Sequence, residues 1–348
     1  MSRSIAAGLG APVLAATLAI APQHAKADTA ADFYAGKTVT VIVATGEGGG
    51  YSVYARMAAQ FMPKHVPGHP AFVVQHMPGA GGVKAANYLY NAAPKNGTYL
   101  GALLESTAMS QLLTGTGIKY DATKFAAIGS MVIDNPVLMA LSSAGVATAD
   151  AARRKTVIVG SSGKASQNYI NPAFANAFAG TKFKIVLGYK GSASVALAME
   201  RGEVQAYSGT WISWKVGHMA WLKDKKIVPL FQVGTRKESD LPDVPLLSEL
   251  GLNDTDKAVL AFISSPGAVG RALFAPPGVP AERIVALRTA FLVTMKDPDL
   301  LALAGKRRAV ISPTPGEAVQ ASIAKVVAAP AEVVKRAKAA MTSLSGKE

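Results

Sequence analysis

Two strand-like runs that each end in a cluster of glycines constrain the fold more than any other feature of this chain. The first is TVTVIVATGEGGG at residues 38–50, and the second is AFVVQHMPGAGG at residues 71–82. An amphipathic segment follows each run, beginning at Ser52 and at Val83, so each unit predicts a strand, a turn and a helix. Glycine keeps side chains out of the turn, and the first backbone N–H groups of the next helix can then face an anion.

The two glycine turns predict one shared ligand site. Neighbouring parallel strands present their carboxyl ends at the same edge of a sheet, and the crevice beyond that edge is where open α/β sheets bind ligands. Both turns are therefore expected to line a single crevice. The pattern indicates a receptor for a small anion.

The N-terminal residues predict export. Arg3 precedes an apolar and small-residue run at residues 5–20, and Ala25-Lys26-Ala27 is a small-x-small cleavage site. We interpret residues 1–27 as a signal peptide cleaved near Ala27. A retained membrane anchor is the alternative, but the run is shorter than the roughly 20 residues needed to span a bilayer. The chain has no cysteine that could carry a lipid or form a disulfide, so the mature protein is expected to be soluble and unanchored.

The positive charge of the chain does not indicate a nucleic-acid partner. The formal net charge is +14, and removing Arg3 and Lys26 with the signal peptide leaves +12. Lysines and arginines are spread along the sequence without a basic helix or an RNA-binding signature, and export argues against nucleic acid as well. A global positive field of this kind raises the encounter rate of anions, or it only keeps the protein soluble.

Strand, turn and helix signals continue along the chain in two series. Further strands are predicted at residues 98–104, 131–141, 156–160, 184–187, 204–208 and 227–233. This alternation predicts an α/β fold with mostly parallel sheets. Two crossover segments, one around Pro136 and one at 227–233, divide it into lobe 1 (28–135 plus 234–348) and lobe 2 (136–233). Pro136 argues against a central, fully hydrogen-bonded strand. Helices are expected at 281–296 and 318–343.

An ordered set of motifs across the mature chain resembles a known receptor family. The motifs are Gly48-Gly49-Gly50, Pro78-Gly79-Ala80-Gly81-Gly82, Ala93-Pro94-Lys95-Asn96-Gly97-Thr98, Tyr189-Lys190-Gly191, Gly202-Glu203-Val204, Leu241-Pro242-Asp243-Val244-Pro245 and Ala275-Pro276-Pro277-Gly278-Val279-Pro280. Together they resemble the substrate-binding receptors of tripartite tricarboxylate transporters, the Bug or TctC family. The resemblance implies a periplasmic, type II-like two-lobed clamshell that delivers a small carboxylate to a two-subunit membrane transporter. We expect a monomer.

Family resemblance and turn positions together define the candidate ligand-binding residues. They are Gly48, Gly49, Gly50, Tyr51, Ser52, Pro78, Gly79, Ala80, Gly81, Gly82, Glu105, Ser106, Ser161, Ser162, Ser166, Tyr189, Gly191 and Trp211. Many members carry an acidic residue just after the glycine triplet, where this chain has Tyr51-Ser52. That departure favours mono-, di- or tricarboxylates over amino acids. Aromatic residues near the turns leave an aromatic carboxylate open, and Trp211, at the end of a predicted strand, is the preferred aromatic contact.

The sequence contains no clear motif for an enzyme, a cofactor site or a metal site. Gly46-Glu47-Gly48 does not extend into a dinucleotide fingerprint, and GSSGKAS at 160–166 lacks the spacing of a phosphate loop. His65 and His69 have helical ligand spacing, but Pro67-Gly68 breaks the helix between them. We therefore predict no enzyme activity, no cofactor and no metal. Two alternatives stay open, namely a clamshell sensor that presents its ligand to a membrane kinase and a secreted α/β hydrolase.

Overall fold

The strands form two separate sheets, and the chain crosses between them twice. The computed structural model describes Met1 and residues 29–114, 116–164 and 166–345, so the predicted signal peptide lies outside the described residues apart from Met1. Within these ranges no helix has the length and apolarity that a membrane crossing requires.

All eight strands that the sequence pattern predicts are present, and the structure adds three that were not predicted, at residues 126–130, 272–275 and 314–315. The strands are β1 (Thr38–Val43), β2 (Ala71–His76), β3 (Tyr99–Ala102), β4 (Ala126–Ser130), β5 (Pro136–Leu141), β6 (Val157–Gly160), β7 (Phe183–Val186), β8 (Ala206–Thr210), β9 (Ile227–Gln232), β10 (Ala272–Ala275) and β11 (Thr314–Pro315). The helices are α1 (Ala30–Tyr34), α2 (Gly50–Phe61), α3 (Val83–Asn91), α4 (Thr107–Leu113), α5 (Gln167–Ala179), α6 (Ser192–Glu200), α7 (Trp211–Gly217), α8 (Met219–Lys223), α9 (Asp254–Ser264), α10 (Ala281–Thr294), α11 (Pro298–Lys306), α12 (Gly316–Val327) and α13 (Ala331–Ser345).

Strand order places the predicted turns at common sheet edges. The first sheet has the order β11-β4-β10-β3-β1-β2, and the second has the order β7-β6-β8-β5-β9. β1 is parallel to β2 and β3, so the two glycine turns and the turn after β3 open at one edge. β6 is likewise parallel to β7 and β8 in the second sheet.

The sheets are mixed, whereas mostly parallel sheets were expected. β10 is antiparallel to β3 and β4, and β5 is antiparallel to β8 and β9. β11, which follows α10 and α11, is also antiparallel to β4. The other two reversed strands, β5 and β10, directly follow the crossings between the sheets. Since no helix carries the chain back along the same sheet before them, these strands do not need to follow the parallel direction.

The central position of β5 shows that the prediction for Pro136 is wrong. β5 lies between β8 and β9, with a paired strand on each side, although the chain does cross between the sheets directly before Pro136. Pro136 is the first residue of the strand, where its missing N–H interrupts no ladder, and its carbonyl accepts a hydrogen bond from the N–H of Val233 at 2.7 Å. The other crossing follows β9 and leads through α9 to β10.

Burial on both faces explains the nearly continuous apolar run of β1. Val39, Val41 and Val43 point into one core together with α2, while Ile42 packs in the core on the opposite face. A strand covered by helices on both sides carries apolar residues at successive positions, as a parallel strand of an α/β protein does.

The C-terminal third differs in two respects from the prediction. The single helix expected at 318–343 is two helices, α12 and α13, because Pro330 lies between them and a proline interrupts the helical hydrogen bonds. Helix α9 packs on α5, and the amide of Gln167 donates to the carbonyl of Ile263 at 3.0 Å. Part of the stretch expected in lobe 1 therefore packs against a helix of the second sheet.

Candidate functional site

A cavity of about 340 Å³ lies between the strand ends of the two sheets. Its walls come from the turns after β1, β2 and β3 on one side and from the turns after β6, β7 and β8 on the other. Arg271, directly before β10, completes the lining. The cavity is thus an interlobe site built mostly from loops.

The first glycine turn presents the start of α2 to this cavity. Gly49 is the N-cap residue in an extended conformation, with φ −90° and ψ 169°, and among the described residues no side chain caps the helix. A β-carbon on Gly49 would lie 2.9 Å from Ser192 Oγ, and one on Gly50 would lie 2.5 Å from Ser213 Oγ. The N–H of Gly46 also donates to the carbonyl of Lys190 at 3.3 Å. Glycine here lets the two lobes meet.

The second glycine turn has an unusual backbone. Gly79, Ala80, Gly81 and Gly82 all have positive φ values, 142°, 47°, 61° and 92°. L side chains rarely adopt such angles, which explains the three glycines. A β-carbon on Gly163 would lie 3.2 Å from the backbone nitrogen of Gly81, so this turn meets the serine turn after β6 across the cavity.

Arg271 joins the lobes through a buried polar network. It is only 5% exposed; its Nη1 donates to Glu105 Oε2 at 3.2 Å, and its Nη2 donates to Thr210 Oγ1 at 2.7 Å. The guanidinium lies 3.9 Å above the ring of Tyr51. The Tyr51 hydroxyl donates to Glu105 Oε2 at 2.5 Å and accepts from the Glu105 N–H at 2.9 Å. The side chains of Tyr51, Glu105, Thr210 and Arg271 thus form one connected set of hydrogen bonds and ring contacts.

Burial and neighbouring charges set the protonation states of this network. Burial alone would lower the pKa of Arg271, but the negative charges around it, including Glu105, outweigh that effect and raise the pKa. Burial raises the pKa of Tyr51 well above its ordinary value, and the charge of Glu105 raises it further. The guanidinium is therefore charged and the phenol neutral. The cavity lining also carries Glu47 and Lys190, so the two acidic and two basic side chains of the lining balance in formal charge.

Asp134 lies in the first crossing between the sheets and shares the electrostatic environment of Arg271. It is 4% exposed, and both of its carboxylate oxygens accept from the Ile212 N–H at 3.1 Å. Burial raises the pKa of Asp134 to about 7, although the charge of Arg271 opposes the shift.

This raised pKa predicts a pH-dependent stability. The folded state holds the Asp134 proton more tightly than the unfolded state does. Protonated Asp134 therefore contributes fully to the free energy of unfolding below the unfolded pKa, and this contribution is lost as the pH rises through about 7. We expect the free energy of unfolding to fall by up to about 1.4 kcal/mol per pH unit between these limits. Asp134→Asn keeps an acceptor for Ile212 and removes the titration. Urea unfolding across this pH range gives the free energy of unfolding of the wild type and of Asp134→Asn. If that free energy depends on pH in the same way in both proteins, the assignment to Asp134 is contradicted.

In the second lobe, Asn168 organises the serine turn. Its Oδ1 accepts from Ser161 Oγ at 2.8 Å, from the Ser162 N–H at 3.2 Å and from Ser166 Oγ. Ser162, Ser166 and Asn168 line the cavity, whereas Ser161 is fully buried behind them. The turn is held in place by one amide side chain.

Most of the predicted site residues line the cavity. Those that do are Gly49, Gly50, Tyr51, Pro78, Gly79, Gly81, Gly82, Glu105, Ser106, Ser162, Ser166, Tyr189 and Gly191. Ala80 and Ser161 are not part of the lining, and Gly48 lines a neighbouring cavity. Ser52 is buried within α2 and hydrogen-bonds to His76 Nε2 at 3.3 Å.

Trp211 lies in the core rather than in the cavity lining. Its ring is 6% exposed and packs in the core of the second lobe, and its indole N–H donates to Asp240 Oδ2 at 3.1 Å. The residue begins α7, and the orientation of that helix turns the ring away from the cavity. Strand-end position alone does not reveal this orientation.

Sequence reasoning missed several lining residues. They include Thr45, Gln167, Asn168, Lys190, Ser192, Tyr207, Ser208, Thr210, Ser213 and Arg271. Arg271 did carry a signal, because it is a lone charged residue between Gly270 and the apolar strand ALFA. Among the described residues, no group of three or more histidine or acidic side chains is placed to hold a metal ion.

Comparison with known proteins finds one family and several similar folds. The model of the "tripartite tricarboxylate transporter family receptor" matches residues 54–318. The periplasmic binding protein BugD is similar with a TM-score of 0.68 and 17% identity, covering 87% of this chain and 97% of that one. MatC from Rhodopseudomonas palustris, solved with malate, has a TM-score of 0.66 and 21% identity, and the match covers 88% of this chain and 99% of MatC. An R. palustris protein solved with adipate has a TM-score of 0.67 and 20% identity, and the match covers 86% of this chain and 97% of that protein. No curated protein matches the chain.

Proposed function

The chain belongs to the tripartite tricarboxylate transporter receptor family, and from that premise we propose that it captures a small organic carboxylate between its lobes and delivers it to a two-subunit membrane transporter. Like the members of this family, it is a receptor and not an enzyme. The proposal includes export through the signal peptide at residues 1–27, action in the periplasm and a monomeric state.

The observation that carries this proposal is the position of the two glycine turns. Both line one cavity, and the start of α2, capped by no side chain among the described residues, faces the second lobe there. A helix N-terminus contributes about 0.3–1 kcal/mol to an exposed anion and up to about 2 kcal/mol to a partly buried one. Hydrogen bonds to a charged group add roughly 1.5–3 kcal/mol each. A few such contacts reach the roughly 8 kcal/mol of micromolar affinity.

The ligands of two similar structures support the same chemical class. MatC holds malate, and the other R. palustris protein holds adipate. Both ligands are small carboxylates. The charges of Arg271 and Glu105 are already paired in the cavity of this chain, so we assign the ligand carboxylate to the backbone N–H groups of the turns.

Native mass spectrometry and a thermal-shift panel test the proposal. We expect an organic acid to co-purify with the protein, and added carboxylates to raise the unfolding temperature. The stabilisation should grow with the logarithm of ligand concentration, reaching about 2.7 kcal/mol at a hundredfold excess over Kd. Matched amides, which keep the shape and lack the charge, are the control ligands. Equal shifts with acids and amides, or no shift with any acid, would contradict carboxylate binding.

Delivery to a transporter needs a separate test. Membrane vesicles that contain the two transporter subunits should accumulate the identified acid only when the ligand-loaded receptor is added. A sensor would instead change the autophosphorylation of a membrane kinase and leave uptake unaffected. Uptake that does not depend on the receptor would contradict the delivery part of the proposal.

A further inference from the structure

A second chamber adjoins the cavity described above. It has a volume of about 350 Å³ and lies between α2 on one side and α6 and α7 on the other. The two chambers share five lining residues, which are Gly49, Gly50, Ser192, Tyr207 and Ser213. They therefore meet at the first glycine turn.

Apolar and aromatic groups dominate the walls of the second chamber. These side chains are Val53, Tyr54, Ala193, Ala196, Leu197, Tyr207, Ile212, Trp214 and Val216. The ionisable side chains apart from the tyrosines are Glu200 and His218. Burial lowers the pKa of His218, which leaves the imidazole neutral at pH 7. An apolar cavity of about 150 Å³ is large enough to bind benzene, so this chamber has room for a substituted ring.

The junction between the chambers combines the groups that an anion requires. Gly49 and Gly50, at the start of α2, line both chambers. The hydroxyls of Ser192 and Ser213 approach the same turn from the second lobe. A carboxylate at this point would touch both chambers. An apolar group attached to it would find apolar side chains in the second chamber, whereas the wall of the first chamber carries Arg271, Glu105 and the serine turn.

We propose that the ligand is a carboxylate with an aromatic or branched apolar body, its carboxylate at the junction and its body in the second chamber. This inference rests on the proposed function and specifies the substrate class. The first chamber then receives polar substituents, which face Arg271, Glu105 and the serine turn. Burial of the body removes apolar surface from water, and this favours the complex.

Isothermal titration with phenylacetate, acetate, malate and adipate tests this inference. The wild-type protein should bind phenylacetate at least about tenfold more tightly than acetate. Leu197→Trp fills the chamber from its wall, and Leu301→Trp is the matched control because both leucines are 45% exposed and Leu301 lies on α11. We expect Leu197→Trp to weaken phenylacetate binding at least about tenfold and to change the malate Kd by less than about twofold. The control should change neither Kd.

The outcomes separate this inference from the proposed function. If the wild-type protein binds malate or adipate but prefers acetate to phenylacetate, the chamber inference is overturned and carboxylate capture stands. The chamber inference is also overturned if Leu197→Trp weakens the binding of all acids equally, or if it leaves the Kd of phenylacetate unchanged. If none of the acids binds, both the inference and the proposed function fail. Circular dichroism of both variants checks that they fold.

Discussion

Replacing Arg271 with methionine is expected to lower the free energy of unfolding by roughly 3–5 kcal/mol, because it removes one partner of a buried ion pair. The guanidinium and the Glu105 carboxylate have relative side-chain exposures of 4% and 8%. Without the arginine, Glu105 loses its counterion, Thr210 loses a donor at 2.7 Å, and the ring of Tyr51 loses its cation. Urea unfolding measured by circular dichroism gives the change.

Two further variants identify the source of this loss. Arg201→Met is the surface control, because Arg201 pairs with Glu203 at 3.8 Å and its side chain is 63% exposed, so a change of about 0–1 kcal/mol is expected. Arg271→Met combined with Glu105→Gln removes the uncompensated charge and should recover part of the stability. If Arg271→Met costs no more than Arg201→Met, the buried network does not stabilise the fold as described.

Replacing Gly49 with aspartate is expected to weaken carboxylate binding by about 100-fold or more while the protein remains folded. Gly49 is the N-cap of α2 in an extended conformation, a position where aspartate caps a helix well. The new carboxylate would occupy the N–H groups that the ligand requires and would repel it. Isothermal titration with the acid found by mass spectrometry measures the affinity, and thermal unfolding measures the stability.

Gly49→Asn is the control, since asparagine has the same shape and a similar capping ability without the charge. A β-carbon at this position meets Ser192 Oγ, so a loss of up to about tenfold is expected from crowding alone. If both variants lose affinity by the same factor, crowding accounts for the effect and charge does not. Unchanged affinity in both would show that the first turn is not the carboxylate site.

Local patterns identified the parts of the site that depend on backbone conformation. Alternation and apolar runs predicted β1 and β2, and the glycine clusters marked the turns that follow them. The parallel pairing of β1 with β2 and β3 then brings these turns to one edge. Residue periodicity and the steric freedom of glycine act within a few positions of the chain, so they can be read without knowing the fold.

Side-chain orientation and distant pairing could not be read in this way. Arg271 and Glu105 are separated by 166 positions and meet only because β10 returns from the second lobe and pairs with β3. Trp211 follows a strand end, as a site residue would, yet the rotation of α7 directs its ring into the core. Both outcomes depend on how complete elements pack.

The same division holds for the whole protein. Strands, helices, glycine turns and the two-series order follow from short-range preferences, because each depends on the backbone angles and side-chain sizes of neighbouring residues. The mixed direction of the sheets, the ion pair of Arg271 and the apolar second chamber follow from tertiary packing. They arise where residues that are distant in sequence come into contact, and the energy of such contacts depends on both segments and cannot be derived from either one alone.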